Sequence, residues 1–159
     1  MDLDKLLRIQ VAKNEQQPLN FRQPGMEEVI AEEATLKTGD YSILGYEERI
    51  GVERKHSLDE ICSNIGKGRE RFERELERAK DFDRFYLLIE GNPADFVLGG
   101  FERSHLHKNS GIASLMAWDM KYNLRVLFCS CRIVAEIWIV QIFRKYLKYK
   151  EKNEGGRIK

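Results

Sequence analysis

Asp40, Glu53 and Lys55 are the residues of this chain whose types and spacing suit them for chemistry. Lys55 follows Glu53 by two positions, so on an extended strand their side chains share a face. Asp40 follows Gly39, where a neighbouring strand would begin, and a hairpin would carry it across to Glu53. Two carboxylates converging on a lysine match what metal-assisted hydrolysis of a phosphodiester requires. A divalent cation polarises the phosphate and lowers the pKa of an attacking water. Magnesium takes one or two carboxylates and leaves its other positions to water and phosphate. The lysine holds the nucleophile and offsets charge in the transition state. Taken singly, Asp40 is an ordinary turn residue; beside Glu53 and Lys55 the metal-binding reading is the stronger one.

The elements that must position these residues are legible in outline. Residues 6–11 form an apolar run that suits a first strand, followed by a polar loop to Pro24. Over 25–36, Met26, Val29, Ile30 and Ala34 recur at mainly three-to-four spacing, which predicts an amphipathic helix. Residues 41–44 and 49–55 read as a hairpin. Within it Ile50 and Val52 face one way, and Glu53 and Lys55 the other. Ser57-Leu58-Asp59-Glu60 has the form of a capping box and starts a helix; a second helix, laced with opposite charges, spans 69–80. Residues 85–89 and 125–129 suit buried strands, and 93–101, 112–122 and 132–150 suit helices. Residues 102–110, which include His105 and His107, read as a solvated loop, and 151–159 as a polar, frayed tail after a single domain over 1–150. The alternation predicts an α/β fold, a three-layer α/β/α sandwich on a central mixed sheet.

Composition narrows the class. The chain has 159 residues, 42% hydrophobic and 33% charged, so one core of ordinary size is expected. A formal net charge of +1 means that any nucleic-acid binding must come from local patches. Cys62, Cys129 and Cys131 lack the paired spacing of a zinc site and read as reduced thiols. The start has no apolar leader, and the greasiest stretch, 126–143, contains Arg132, Glu136 and Gln141, unlike a membrane span. A cytoplasmic protein is expected.

The blocks Gly39-Asp40-Tyr41 and Val52-Glu53-Arg54-Lys55-x-x-x-Asp59 resemble the signature of XPF-type structure-specific endonucleases. The likeness continues through Ser63, Gly66, Gly68 and Arg69 and the run Phe85-Tyr86-Leu87-Leu88-Ile89-Glu90, and spans roughly residues 10–147. It implies a restriction-endonuclease-like fold, dependence on Mg²⁺ or Mn²⁺, and action on branched duplex DNA such as flaps and forks. It also implies that Asp40, Glu53 and Asp59 serve the metal, that Lys55 positions the nucleophile, and that Arg54 steadies the site or contacts phosphate. Two departures stand out. The family's opening Asp-x-Arg-Glu reads here Ala12-Lys13-Asn14-Glu15, so only Glu15 matches, and no tandem helix-hairpin-helix module is expected within these 159 residues. A weak or inactive DNA-binding scaffold, or a nuclease for single strands or mobile-element DNA, are the competing expectations.

Several further residues are secondary candidates. Glu15 and Glu90 are accessory acids, although a structural hydrogen bond is at least as good a role for Glu90. Lys67 and Arg69 flank Gly68 at a helix start and are the favoured DNA-phosphate contacts. The arginines up to Arg78 are matched by glutamates and read as a solvated face. Apolar residues from Ile133 to Phe143 cover most of the last helix, which predicts a homodimer through the C-terminal helices.

Overall fold

A computed structural model describes residues 6–98 and 108–154, with backbone alone for residues 108 and 109. The strands are β1 (Leu7–Ala12), β2 (Val29–Ala34), β3 (Tyr41–Ile43), β4 (Ile50–Lys55), β5 (Arg84–Glu90) and β6 (Leu124–Cys129). The helices are α1 (Leu58–Ile65), α2 (Arg69–Ala79), α3 (Pro93–Leu98), α4 (Lys108–Tyr122) and α5 (Arg132–Glu154). The strands form one sheet in the order β2-β1-β3-β4-β5-β6. β1 runs parallel to β2 and antiparallel to β3, β3 is antiparallel to β4, and β4, β5 and β6 are mutually parallel. The sheet is mixed, as expected from the sequence.

Side-chain alternation along the strands sorts the core into two layers. Ile9, Ile43, Ile50, Val52 and Leu88 pack on one face against Ala135, Ile139, Val140 and Phe143 of α5. Phe85, Leu87, Ile89 and Leu124 pack on the other against Ile61 and Ile65 of α1, Phe72 and Leu76 of α2, and Leu115 and Trp118 of α4. This is the three-layer α/β/α sandwich.

One element differs from the sequence reading. Residues 25–36 contain no helix; β2 occupies 29–34, registered Leu7↔Val29 through Ala12↔Ala34 on the parallel edge of β1. None of its side chains is fully buried, so the strand is held by backbone pairing that no local hydrophobic pattern reports. Met26, counted toward the helical stripe, is instead buried in the α5-side core. Two boundaries also move. Residues 108–110 belong to α4 rather than a loop, and α5 continues through Glu154 into the expected tail. His105 and His107 lie outside the described residues.

Candidate active site

The hairpin delivers the acids as its register requires. Asp40 stands just before β3; its backbone N–H donates to Val52 O (2.9 Å) and its carbonyl accepts from Ala12 N (2.8 Å), so three strands fix its position. Gly39 makes that turn at φ +81°, where a Cβ would lie 3.2 Å from the Phe85 ring and 3.3 Å from Val52 O. Arg54 N–H donates to Asp40 Oδ2 at 2.9 Å, which ties the first acid to the strand bearing the second. Glu53 and Lys55, both buried, share the α1–α2 face of β4, and Lys55 Nζ donates to Glu53 Oε1 at 2.8 Å. The Lys55 ammonium also lies 4.8 Å above the Phe72 ring of α2.

These groups lie where two clefts meet. One, of about 510 Å³, is lined by Asp40, Glu53 and Lys55 with Asn14, Lys37 and Thr38 and, from α2, Arg71, Arg74, Glu75 and Arg78. The second, of about 310 Å³, reaches Asp40 and Glu53 from the side of Glu15, Arg54, His56 and Glu60. A larger cavity of about 920 Å³ lies elsewhere, beside α5, and contains none of the three residues.

The electrostatics are acidic and unbalanced. Burial, then the charges of Glu15 and Glu75, push the Asp40 carboxyl up to about 7 against the hydrogen bond from Arg54 N–H. Burial, then Asp40 and Glu75, hold Glu53 well above the usual carboxylate range. Burial opposes the charged form of Lys55, but Glu53, Glu60 and Asp40 outweigh it, so the amine stays an ammonium. Carboxylates that resist ionisation because of burial, and then because of one another, are a site that a divalent cation would relieve. Asp40 Oδ1 and Glu53 Oε2 take no protein hydrogen bond among the described residues, and these hard oxygens fit Mg²⁺ or Mn²⁺. Among the described residues, however, no cluster of three His, Cys, Asp or Glu groups has the form of a complete protein cage.

Other candidates are placed differently from their motif. Arg54 points to the opposite face of β4 and is 2% exposed. It donates from Nε to Glu90 Oε2 (2.9 Å) and from Nη1 to Gln17 O (2.7 Å), and its Nη1 lies 3.7 Å from Glu15 Oε2. Glu15 also accepts from Tyr41 Oη (3.2 Å) and lies 2.8 Å from His56 Nε2. Glu15, Arg54 and Glu90 thus form a buried cluster, and Glu15 and Arg54 also border the second cleft.

Asp59 is exposed on the first turn of α1 and lines neither cleft. Its neighbour Glu60 does line one; its carboxylate accepts from His56 N at 2.7 Å, while its own N–H donates to Ser57 Oγ at 3.2 Å. Arg69 turns away, donating to Ser114 Oγ at 2.9 Å and lying 5.3 Å over the Trp118 ring of α4. Lys67 is exposed between α1 and α2, outside both clefts.

The sequence reading missed Glu75, whose Oε1 accepts from Gly39 N at 2.9 Å. Its only signal was the helical period: residue 75 is one turn on from Arg71 and falls between the apolar seam and the exposed face.

Residues 9–142 match the ERCC4 domain, and a match over this much of the chain defines the class: the protein belongs to the ERCC4-domain family of XPF-type nuclease domains. Solved structures agree on the fold. XPF from Aeropyrum pernix superposes with a TM-score of 0.70 at 19% identity, covering 87% of this chain and 61% of that one. XPF from Aeropyrum pernix in complex with DNA superposes with a TM-score of 0.69 at 20% identity, covering 89% of this chain and 66% of that one. The chain therefore spans less than two thirds of the length of those proteins. None of the curated proteins is a significant sequence match. Among the described residues no helix is long and apolar enough to cross a membrane.

Proposed function

We propose that this protein is a metal-dependent DNA endonuclease acting on branched duplexes such as flaps and forks. The observation that carries the reading is the pair of carboxylates, Asp40 and Glu53, held beside the Lys55 ammonium where two clefts meet. Family membership and the DNA complex of XPF from Aeropyrum pernix support it. Asp40 through Oδ1 and Glu53 through Oε2 would hold Mg²⁺ or Mn²⁺, which when bound polarises the scissile phosphate and acidifies a water. Arg54 N–H fixes the Asp40 carboxylate through its other oxygen. Lys55, drawn toward Glu53, offers its remaining protons to the nucleophilic water and to charge developing on the phosphate. Glu60 stands nearer this chemistry than Asp59 and is the better candidate for a water-mediated contact. The Arg54 side chain is a positioning group, and Lys67 remains a candidate for a distal phosphate.

We extend the reading to a homodimer through α5. Ile133, Ile137 and Trp138 are 47%, 45% and 41% exposed there, an apolar row that a second copy would cover. Such a nuclease would work beside intracellular DNA. A non-catalytic scaffold is favoured by one observation: with Asp59 turned out, the donor set near Asp40 is thinner than the motif implies. Cleavage of labelled duplex, fork, 3′-flap and single-stranded DNA in Mg²⁺, Mn²⁺ or EDTA separates the two. Metal-dependent cutting lost in Asp40→Asn and Lys55→Ala supports the enzyme; DNA binding by a folded protein that never cuts supports the scaffold.

A further inference from the structure

We propose that the face of α2 carrying Arg71, Arg74 and Arg78 is the surface along which the phosphates of duplex DNA lie as it approaches the Asp40–Glu53 pair. The inference rests on the endonuclease reading and names the part of the molecule that grips its substrate. At about 100° per residue, these three arginines fall within a band roughly 60° wide on α2, opposite Arg69. All three line the 510 Å³ cleft that contains Asp40, Glu53 and Lys55, with Lys37 contributed from outside the helix.

The glutamates that match these arginines in number do not match them in space. Glu73 pairs with Arg69 at 3.4 Å and Glu77 pairs with Lys80, both away from the cleft. Glu70 pairs with Arg74 at 3.0 Å, but the side chains are 62% and 90% exposed, and such a pair is readily exchanged for a phosphate. Arg78 donates to Thr38 Oγ1 at 3.2 Å and makes no ion pair among the described residues; nor does Arg71. Glu75 is the one acid of α2 that lines the cleft, where it accepts from Gly39 N at 2.9 Å, so three guanidinium groups share the cleft with a single helix carboxylate. Guanidinium forks suit phosphate oxygens. A chain of net charge +1 needs such a local patch if it is to hold a polyanion.

The lining also distinguishes duplex from single strand. Proteins that grip single strands stack bases on exposed aromatic rings. Among the described residues the cleft's one aromatic is Phe72, 2% exposed with Lys55 above its ring, so they offer no stacking platform. Contacts here are to backbone phosphates, and these position a duplex without reading its bases.

The test is anisotropy titration of a labelled duplex, and of its single strand, across a series of salt concentrations. It uses the full chain carrying Asp40→Asn in Mg²⁺, and wild type in EDTA, so that nothing is cut. Each phosphate contact contributes about 0.9 to the slope of log affinity against log salt. Arg71→Gln with Arg78→Gln should flatten the duplex slope by about 2. Lys80→Gln, which removes one positive charge on the far side of α2, should leave the slope as it is, whereas either single arginine variant should flatten it by about 1. Duplex should be bound more tightly than single strand, and circular dichroism checks that each variant is folded. An unchanged slope in the folded double variant, with duplex still bound, would overturn the α2 surface and leave the endonuclease reading intact. Tighter binding of single strand would overturn the duplex assignment. Failure of every form to bind DNA at low salt would overturn both.

Discussion

Strand β4 carries two buried charge clusters on opposite faces, and they are built to different ends. Behind the sheet, Arg54 sits between Glu15 and Glu90 with the Gln17 carbonyl on its third side, and the side chains of the two ion pairs are at most 10% exposed. In front, Asp40 and Glu53 have Lys55 as their principal buried cation and Glu75 as a further acid, and the group opens to the larger of the two clefts while sharing the smaller with Glu15 and Arg54. The rear cluster meets its own hydrogen-bonding needs and ties the loop after β1 to β5. The front cluster has more buried carboxylates than buried cations, a deficit that a proton or a bound divalent cation would relieve. One motif, Glu-Arg-Lys, builds both because consecutive strand residues point to opposite faces.

The largest expected effect breaks the front cluster. Asp40→Asn or Lys55→Ala should lower metal-dependent cleavage at least about a hundredfold, by removing a metal ligand or the charge that steadies the reacting phosphate. Both variants should remain folded. Wild-type rates from either, under single-turnover conditions, would contradict the assignment.

Arg54→Leu tests the rear cluster and should read out as stability. Glu15 and Glu90 would be left buried without their shared cation, at a cost of about 3–5 kcal/mol in chemical denaturation. If the variant is as stable as wild type but inactive, Arg54 acts on phosphate rather than on the scaffold.

Metal and pH sharpen the comparison further. Asp40 is raised from an ordinary 3.8 to about 7, so the folded metal-free protein holds its proton more tightly than the unfolded chain does. The contribution of Asp40 to stability is then fully present below about pH 4 and is lost as pH rises through about 7. A divalent cation replaces that proton, so Mg²⁺ or Mn²⁺ should raise Tm more at about pH 8 than at about pH 5. A Tm insensitive to metal at both values would count against the site. The smallest expected effect is on the helix that closes the second cleft. Ser57→Ala removes the acceptor for Glu60 N–H and should cost about 1 kcal/mol, with a modest loss of rate.

The sequence by itself determined the hairpin, the shared face of Glu53 and Lys55, the buried strand β5 and the layered α/β fold. Strand alternation, a capping box and continuous apolar runs are local signals, and the structure realises each of them. Three things were decided only in the tertiary structure. Residues 29–34 became a strand because β1 offered an unpaired edge, a backbone interaction that side-chain periodicity does not record. Asp59 turned to solvent while Glu60 and Glu75 reached the clefts, because helix rotation depends on what the apolar seam packs against. The arginines of α2 looked neutralised in one dimension. The seam of Phe72, Leu76 and Ala79 fixed the helix against the sheet, and that rotation turned Arg71, Arg74 and Arg78 into the cleft with the acids, leaving Arg71 and Arg78 without an ion pair among the described residues.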